Sequence, residues 1–422
     1  MGTLAELLRS LRQDAGMTQE EVAEAAGLSV RTISDIERGI RTRLYRDTAV
    51  RLGSALRLSD AALVEFVDYA RGRTASFRRD LDEAFRRRFV AWHVDRISSL
   101  SQNIGSEEAW YAVLDADEAN LAVALRWAAE DGDTESLLLL GTGLFRYWQA
   151  RGDLAVGRKW LERGLRTVPE ATPPTRMSAL WALGWLAFQQ GDETSTQACA
   201  RELAALAATS ADPIARRNAV TLDGLVALAH EDVDMAVRQF VEAVDLVRDA
   251  GEPWLSASSL LNLAMATIAS GRTSEARSLL HEALRMYDDL GDERFRARAL
   301  GYLGLAALVD GEAGRAEALY AQSLRIFDAL GEPKGVAEAL TGLASAAVLG
   351  GAVTRSAQLG GAAERLRESF GGCALPVERR LAHAQFAMVS SHGGQRWRDE
   401  WTRGRAFRTT EAVETALGRT SR

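Results

Sequence analysis

The sequence predicts an all-α protein, a small helical bundle at the N-terminus followed by a stack of helical hairpins. Three observations carry this expectation. Small residues recur every 40 positions from about residue 176 to residue 371. Residues 18–39 place two short amphipathic helices around a glycine. Alanine is abundant, and 7 prolines in 422 residues leave few helix breakers.

Within 18–39, Thr18 and Glu21 have the spacing of a capping box, which satisfies two orphan N–H groups at a helix start. Gly27 stands where the chain must turn with φ > 0. Ser29 is placed to cap the second helix, and Gly39 ends it. Val22, Ala23, Ala26, Leu28, Ile33 and Ile36 form the inward set, with Ala23 small enough for a close helix crossing. This is the spacing of a helix-turn-helix, whose second helix enters the DNA major groove.

Met17-Thr18-Gln19 before this unit, Ile36-Glu37-Arg38-Gly39 at its end and helical patterns at 4–13, 48–56 and 60–71 resemble the phage-repressor (Cro/repressor, XRE) class of DNA-binding domain. The resemblance covers residues 4–71 and implies a five-helix bundle. It places base readers at Val30, Arg31, Thr32, Ser34 and Asp35, and a phosphate clamp at Gln19. Arg31 would fork onto guanine, Thr32 would meet a thymine methyl and Asp35 would accept from a cytosine amine. Arg12 and Glu37 match a pair internal to that fold and read as a structural ion pair. Arg38, Arg41, Arg43, Arg46 and Arg51 are opposed only by Asp47, which marks a local phosphate-contacting edge. The whole chain carries a formal charge of −7, so a general nucleic-acid coat is excluded.

Residues 73–114 read as a helical connector. Phe77, Leu81, Phe85, Phe89 and Trp92 mark its inner face, and Arg78, Arg79, Arg86, Arg87 and Arg88 are expected outside. Residues 115–422 read as the repeat domain. Gly184, Gly224, Ala264, Gly304 and Ala344 form one register. Gly191, Gly271, Gly311 and Gly351 form a second, with Glu231 filling its gap. Gly251, Gly291, Gly331 and Gly371 form a third, and two alanine registers pass through Ala236 and Ala243. Each unit is therefore helix, glycine turn, helix, glycine turn, the mark of an α-solenoid. The pattern resembles the tetratricopeptide repeat (TPR), with a period longer than its usual ~34 residues. Residues 372–422 are expected to cap it through Trp397, Trp401, Phe407, Val413 and Leu417.

This order of parts, with Asp117-Glu118-Ala119-Asn120-Leu121 between them, resembles actinobacterial regulators of the STAND type that lack their NB-ARC ATPase domain. In layout it also resembles peptide-sensing repressors with tetratricopeptide repeats. Neither Lys159 nor Lys334 sits in a Walker loop, so no nucleotide is expected. Lysine appears only at those two places among 51 basic residues, a codon bias of high-GC bacteria. His93, His230, His281, His383 and His392 show no metal-ligand spacing, and Cys199 and Cys373 read as small core residues. No nucleophile–base pair stands out, so the expectation is a non-enzyme without cofactor. No apolar run approaches the ~20 residues that span a bilayer, and the N-terminus lacks a signal layout, so a cytoplasmic protein is expected.

The expected function is that of a transcriptional regulator binding a palindromic double-stranded DNA operator as a homodimer, with half-sites ~34 Å apart. Its repeats would sense a peptide, small ligand or partner protein. By register, Trp181, Trp185, Asn218, Thr221, Asn262, Met265, Arg298 and Tyr302 line the sensing groove, with Ser258 and Leu261 beside them. Asn218 and Asn262 would hold a peptide backbone and Arg298 a carboxylate. The alternative is an interaction adaptor whose helix-turn-helix is vestigial.

Overall fold

The computed structural model describes residues 4–56, 58, 60–71, 83–103, 107–167, 171–248, 251–374 and 376–418. Phe77, Arg78, Arg79 and Leu81 of the expected connector face lie outside them. Every regular element among the described residues is a helix. They fall into two compact units, divided at Gly143.

The first unit opens with α1 (Leu4–Asp14), α2 (Gln19–Ala26), α3 (Val30–Glu37), α4 (Arg46–Ala55) and α5 (Asp60–Ala70). Leu4, Leu7, Leu8 and Leu11 give α1 one apolar stripe, and it packs on α3. Val22, Ile33, Ile36 and Leu52 are fully shielded from water at the centre. The capping box is present: the Glu21 N–H donates to Thr18 Oγ1 at 3.2 Å and the Thr18 N–H donates to Glu21 Oε2 at 2.7 Å. Gly27 ends α2 with φ +60°, the left-handed region where a side chain is strained. A Cβ there would also lie 2.8 Å from Arg51 Nη2.

The same unit holds α6 (Glu83–Asn103), α7 (Glu107–Glu130) and α8 (Thr134–Gly143). Phe85 and Phe89 meet the buried Trp127 edge-on at 6.1 and 5.0 Å. Arg86 corrects its expected outward position. It is buried, 2.7 Å from Asp131 and 3.0 Å from Glu130, with its guanidinium over the Trp127 ring. Two acids at the end of α7 make an inward arginine affordable, and neither is visible from the spacing of α6 alone.

The second unit begins with α9 (Phe145–Arg151) and α10 (Leu154–Arg166). Five hairpins follow: α11 (Pro173–Gln189) with α12 (Glu193–Ala207), α13 (Pro213–Ala229) with α14 (Val233–Val247), α15 (Pro253–Ala269) with α16 (Thr273–Leu290), α17 (Glu293–Val309) with α18 (Ala313–Ala329), and α19 (Pro333–Leu349) with α20 (Val353–Phe370). The helix α21 (Pro376–Arg405), broken at Gly394, and α22 (Thr409–Ala416) close the stack.

Each register has a physical duty. Gly191, Gly271, Gly311 and Gly351 turn with φ between 75° and 79°, and Glu231 takes the same turn at φ 61°. Gly224 and Gly304 face the rings of Phe240 and Tyr320, where a Cβ would approach within 2.6 and 2.8 Å. Ala236, Ala276 and Ala316 are completely buried at the helix crossings. Pro213, Pro253 and Pro333 begin helices, where the missing N–H has no intrahelical partner to lose.

The two ends of the stack touch. Arg146 of α9 lies 3.2 Å from Asp292 and over the ring of Trp254. Gly152 lies against Phe370 at the end of α20, where a Cβ would come within 2.9 Å. Beyond α20 the chain crosses back, and the Cys373 N–H donates to the Gln189 carbonyl at 2.8 Å. The expected cap is packed on α20. Gly360 receives the Trp401 ring, Trp401 stacks on Trp397 at 4.7 Å, and Val413 is buried.

Candidate functional site

The α3 helix presents one face to solvent because its other face builds the core. Ile33, Ile36 and Glu37 are buried; Val30 and Arg31 are exposed; Thr32, Ser34 and Asp35 are half-buried. Ser29 caps the helix, its Oγ accepting from the Thr32 N–H at 3.1 Å. The Ser29 and Thr32 hydroxyls are 2.9 Å apart. The Asp35 carbonyl accepts from the N–H groups of Ile40 and Arg41 at 2.9 and 3.2 Å, which turns the chain out of α3.

The helix is locked from behind. The Glu37 carboxylate, 2% exposed, accepts from Arg12 Nε at 2.7 Å and from Gln19 Nε2 at 2.6 Å. Arg12 also donates to the Met17 carbonyl at 2.9 Å. One ion pair thus joins α1, the start of α2 and the end of α3. The structural reading of Arg12 and Glu37 agrees with this geometry. Gln19 joins the same cluster and keeps one amide hydrogen for another acceptor.

Arg38, Arg41, Arg43 and Arg46 are exposed, and among the described residues no carboxylate pairs with them or with Arg31. Arg51 departs from the expected edge. Its Nε donates to the Ala26 carbonyl at 2.8 Å and its Nη2 to the Gly27 carbonyl, so it braces the turn between α2 and α3.

A second site lies within the second unit. A cavity of about 660 Å³, counted out to open solvent, is lined from α11, α13, α15, α17 and α19. Cys373, Ala374, Pro376 and Arg379 form another wall. Four of the expected groove residues line it: Trp185, Met265, Arg298 and Tyr302. The other four do not. Trp181 stacks near Trp185 and under the Arg217 guanidinium. Asn218 accepts from Arg217 Nη1 at 3.0 Å. Thr221 is fully buried, its hydroxyl donating to the Arg217 carbonyl, and Asn262 is buried as well. Trp181, Asn218 and Thr221 are engaged by the buried Arg217, which also donates to the serines at 258 and 259.

The cavity wall is charged. Arg294 and Arg298 share one carboxylate, Glu332, at 2.6 and 3.3 Å. The buried ammonium of Lys334 is held by Glu338, and burial pulls its pKa below the usual lysine range against that attraction. Burial pushes the Tyr302 phenol upward and the Cys373 thiol upward, so both are neutral near pH 7. Lys334, Gln189, Ala374, Pro376 and Arg379 are cavity residues that the sequence reading does not find. A polar Gln189 at a buried register position was the one signal available.

Among the described residues no three His, Cys, Asp or Glu side chains cluster as metal ligands. No described helix is long and apolar enough to cross a membrane.

Residues 3–66 match the family model described as a helix-turn-helix domain. The N-terminal bundle is a helix-turn-helix domain. No curated protein sequence matches the chain. Among solved structures, a Rap protein complexed with competence and sporulation factor is 9% identical, with 80% of this chain and 100% of that one covered and a TM-score of 0.52. PlcR of Bacillus thuringiensis, solved with the peptide PapR7 and DNA, is 13% identical over 78% of this chain and 96% of its own, with a TM-score of 0.38. A STAND protein of Pyrococcus horikoshii with a tetratricopeptide repeat sensor is 13% identical over 89% of this chain and 54% of its own, with a TM-score of 0.44. Among the described residues the chain is all-α, a helix-turn-helix domain followed by a solenoid of helical hairpins. In the helix-turn-helix domain, the sequence-predicted base readers all lie on α3, and the arginines at 38, 41, 43 and 46 follow its C-terminal end.

Proposed function

We propose that the chain is a sequence-specific transcriptional regulator that binds double-stranded DNA as a homodimer in the cytoplasm of a bacterium. In this reading Arg31 reads a guanine, Val30 and Thr32 meet base-edge methyl groups, and Ser34 and Asp35 complete the face. Arg38, Arg41, Arg43 and Arg46, with the free amide hydrogen of Gln19, hold phosphates. The TPR-like unit is the sensor, and its occupancy shifts the population of DNA-competent dimers. The protein is not an enzyme and takes no nucleotide or other cofactor.

The observation that carries the reading is the division of α3. Its core face is pinned by the Arg12–Glu37–Gln19 cluster, while Arg31 stands exposed and, among the described residues, forms no ion pair. A bundle kept only for packing has no need of an exposed face next to an unpaired arginine edge. The test is fluorescence anisotropy on duplexes tiled across the upstream region of its own gene. One tile should bind in preference to the others, and Arg31→Ala should weaken that tile by about 1–3 kcal/mol, five- to 150-fold. Equal binding to every tile, unchanged in Arg31→Ala, would favour an adaptor with a vestigial helix-turn-helix.

A further inference from the structure

We propose that the cavity between α11, α13, α15, α17, α19 and the residues Cys373, Ala374 and Pro376 is a site for one compact amphipathic anion. Its ligand has an apolar aromatic body, a carboxylate-like group and a neighbouring N–H or O–H donor. The inference rests on the sensor reading above and gives that sensor a ligand chemistry.

Four observations converge. The lining sets apolar Trp185, Phe188 and Met265 beside a few polar groups, the mix that small-molecule sites carry. Cys373, Ala374 and Pro376 close one side of the cavity, with the Cys373 N–H held on the Gln189 carbonyl, so the space suits a compact molecule better than an extended chain. Two lining side chains, each more than nine-tenths buried, carry a polar atom without a hydrogen-bond partner: Arg298 Nε, a donor, and Gln189 Oε1, an acceptor. Buried polar groups are nearly always satisfied, and a ligand that accepts from Arg298 Nε and donates to Gln189 Oε1 would complete both. The fourth observation is charge. Arg298 and Lys334 line the cavity as buried basic side chains. At the rim, exposed Arg379 answers Glu193. An anion would meet the Arg298 and Lys334 side of the wall, while Trp185, Phe188 and Met265 offer apolar surface for a ring.

The test uses the full chain and two probes, anilinonaphthalene sulfonate and its uncharged parent phenylnaphthylamine. Both have an aromatic body and an N–H donor; only the first has the anion. Calorimetry should find one sulfonate probe per chain, bound at least tenfold more tightly than the neutral probe, as a charge-assisted hydrogen bond requires. Arg298→Met should weaken the sulfonate about tenfold or more and leave the neutral probe within threefold. Gln189→Leu should weaken both. Arg379→Met, an exposed position that does not threaten folding, should weaken the sulfonate alone, by a smaller factor. Multiple weak sites, equal affinity for the two probes, or indifference to both arginine substitutions would overturn the proposal. Operator binding measured alongside separates the two readings. A site that fills as described without altering DNA affinity stands, and the sensor reading falls. An empty site in a chain that still binds its operator sinks the ligand proposal alone.

Discussion

Glu37→Ala is the substitution most revealing of how α3 is held. The carboxylate is 2% exposed and its partner Arg12 is 14% exposed, so the mutation strands a cation that is mostly shielded from water. Breaking a buried pair from one side costs about 3–5 kcal/mol. Arg12 keeps its bond to the Met17 carbonyl and some solvent contact, which argues for the lower end, about 3 kcal/mol. At roughly 0.05–0.15 kcal/mol per residue, a bundle of this size has only about 3–10 kcal/mol in all. Amide hydrogen exchange followed by mass spectrometry reads the effect locally in the full chain. Peptides spanning α2 and α3 should lose protection by about 150-fold, since 1.4 kcal/mol is a factor of ten. Peptides from α13 to α20 should exchange as before. Glu37→Gln, which keeps the shape and one acceptor, should fall between the two. A loss below threefold in Glu37→Ala would refute the claim that this pair fixes the helix.

Three other expectations follow from the same geometry. Arg43→Ala should weaken operator and non-operator duplexes alike and flatten the log–log salt dependence by about 0.9, measured by anisotropy titrations across salt. Gly361→Ala forces a Cβ to 2.2 Å from the Trp401 carbonyl; the backbones of α20 and α21 must part, at about 1–3 kcal/mol, and limited proteolysis should release the C-terminal cap sooner. Asp192 caps α12 by accepting from the Ser195 N–H and also pairs with Arg158, which together hold its pKa at about 2 against an unfolded value near 3.8. A depressed acid contributes stability above its unfolded value and loses it as the pH falls through the folded one. Asp192→Asn should therefore flatten the decline of thermal stability between about pH 4 and pH 2.

Much of the fold was legible because its constraints are local. The 40-residue spacing of Gly191, Gly271, Gly311 and Gly351 encodes turns, and a turn needs only its own backbone angle. Thr18, Gly27 and Ser29 announce α2 and α3 for the same reason. The sensing wall was half legible. Trp185, Met265, Arg298 and Tyr302 follow from helical register, whereas Asn218 and Thr221 share that register yet are claimed by Arg217. Arg86 was misplaced because its partners, Glu130 and Asp131, come from another helix. Cys373 joins the cavity through a bond to Gln189, nearly two hundred positions away, and spacing along the chain says nothing about that.

The Cys373–Gln189 bond alters what kind of object the hairpin array is. An open array is a zipper: it can lose its last tooth and keep the rest, because each unit leans only on its neighbours. Here the last tooth is hooked to the first, so trimming either terminus unfastens both. Truncation series on this protein should then show a single cliff in stability where an open array would show a staircase.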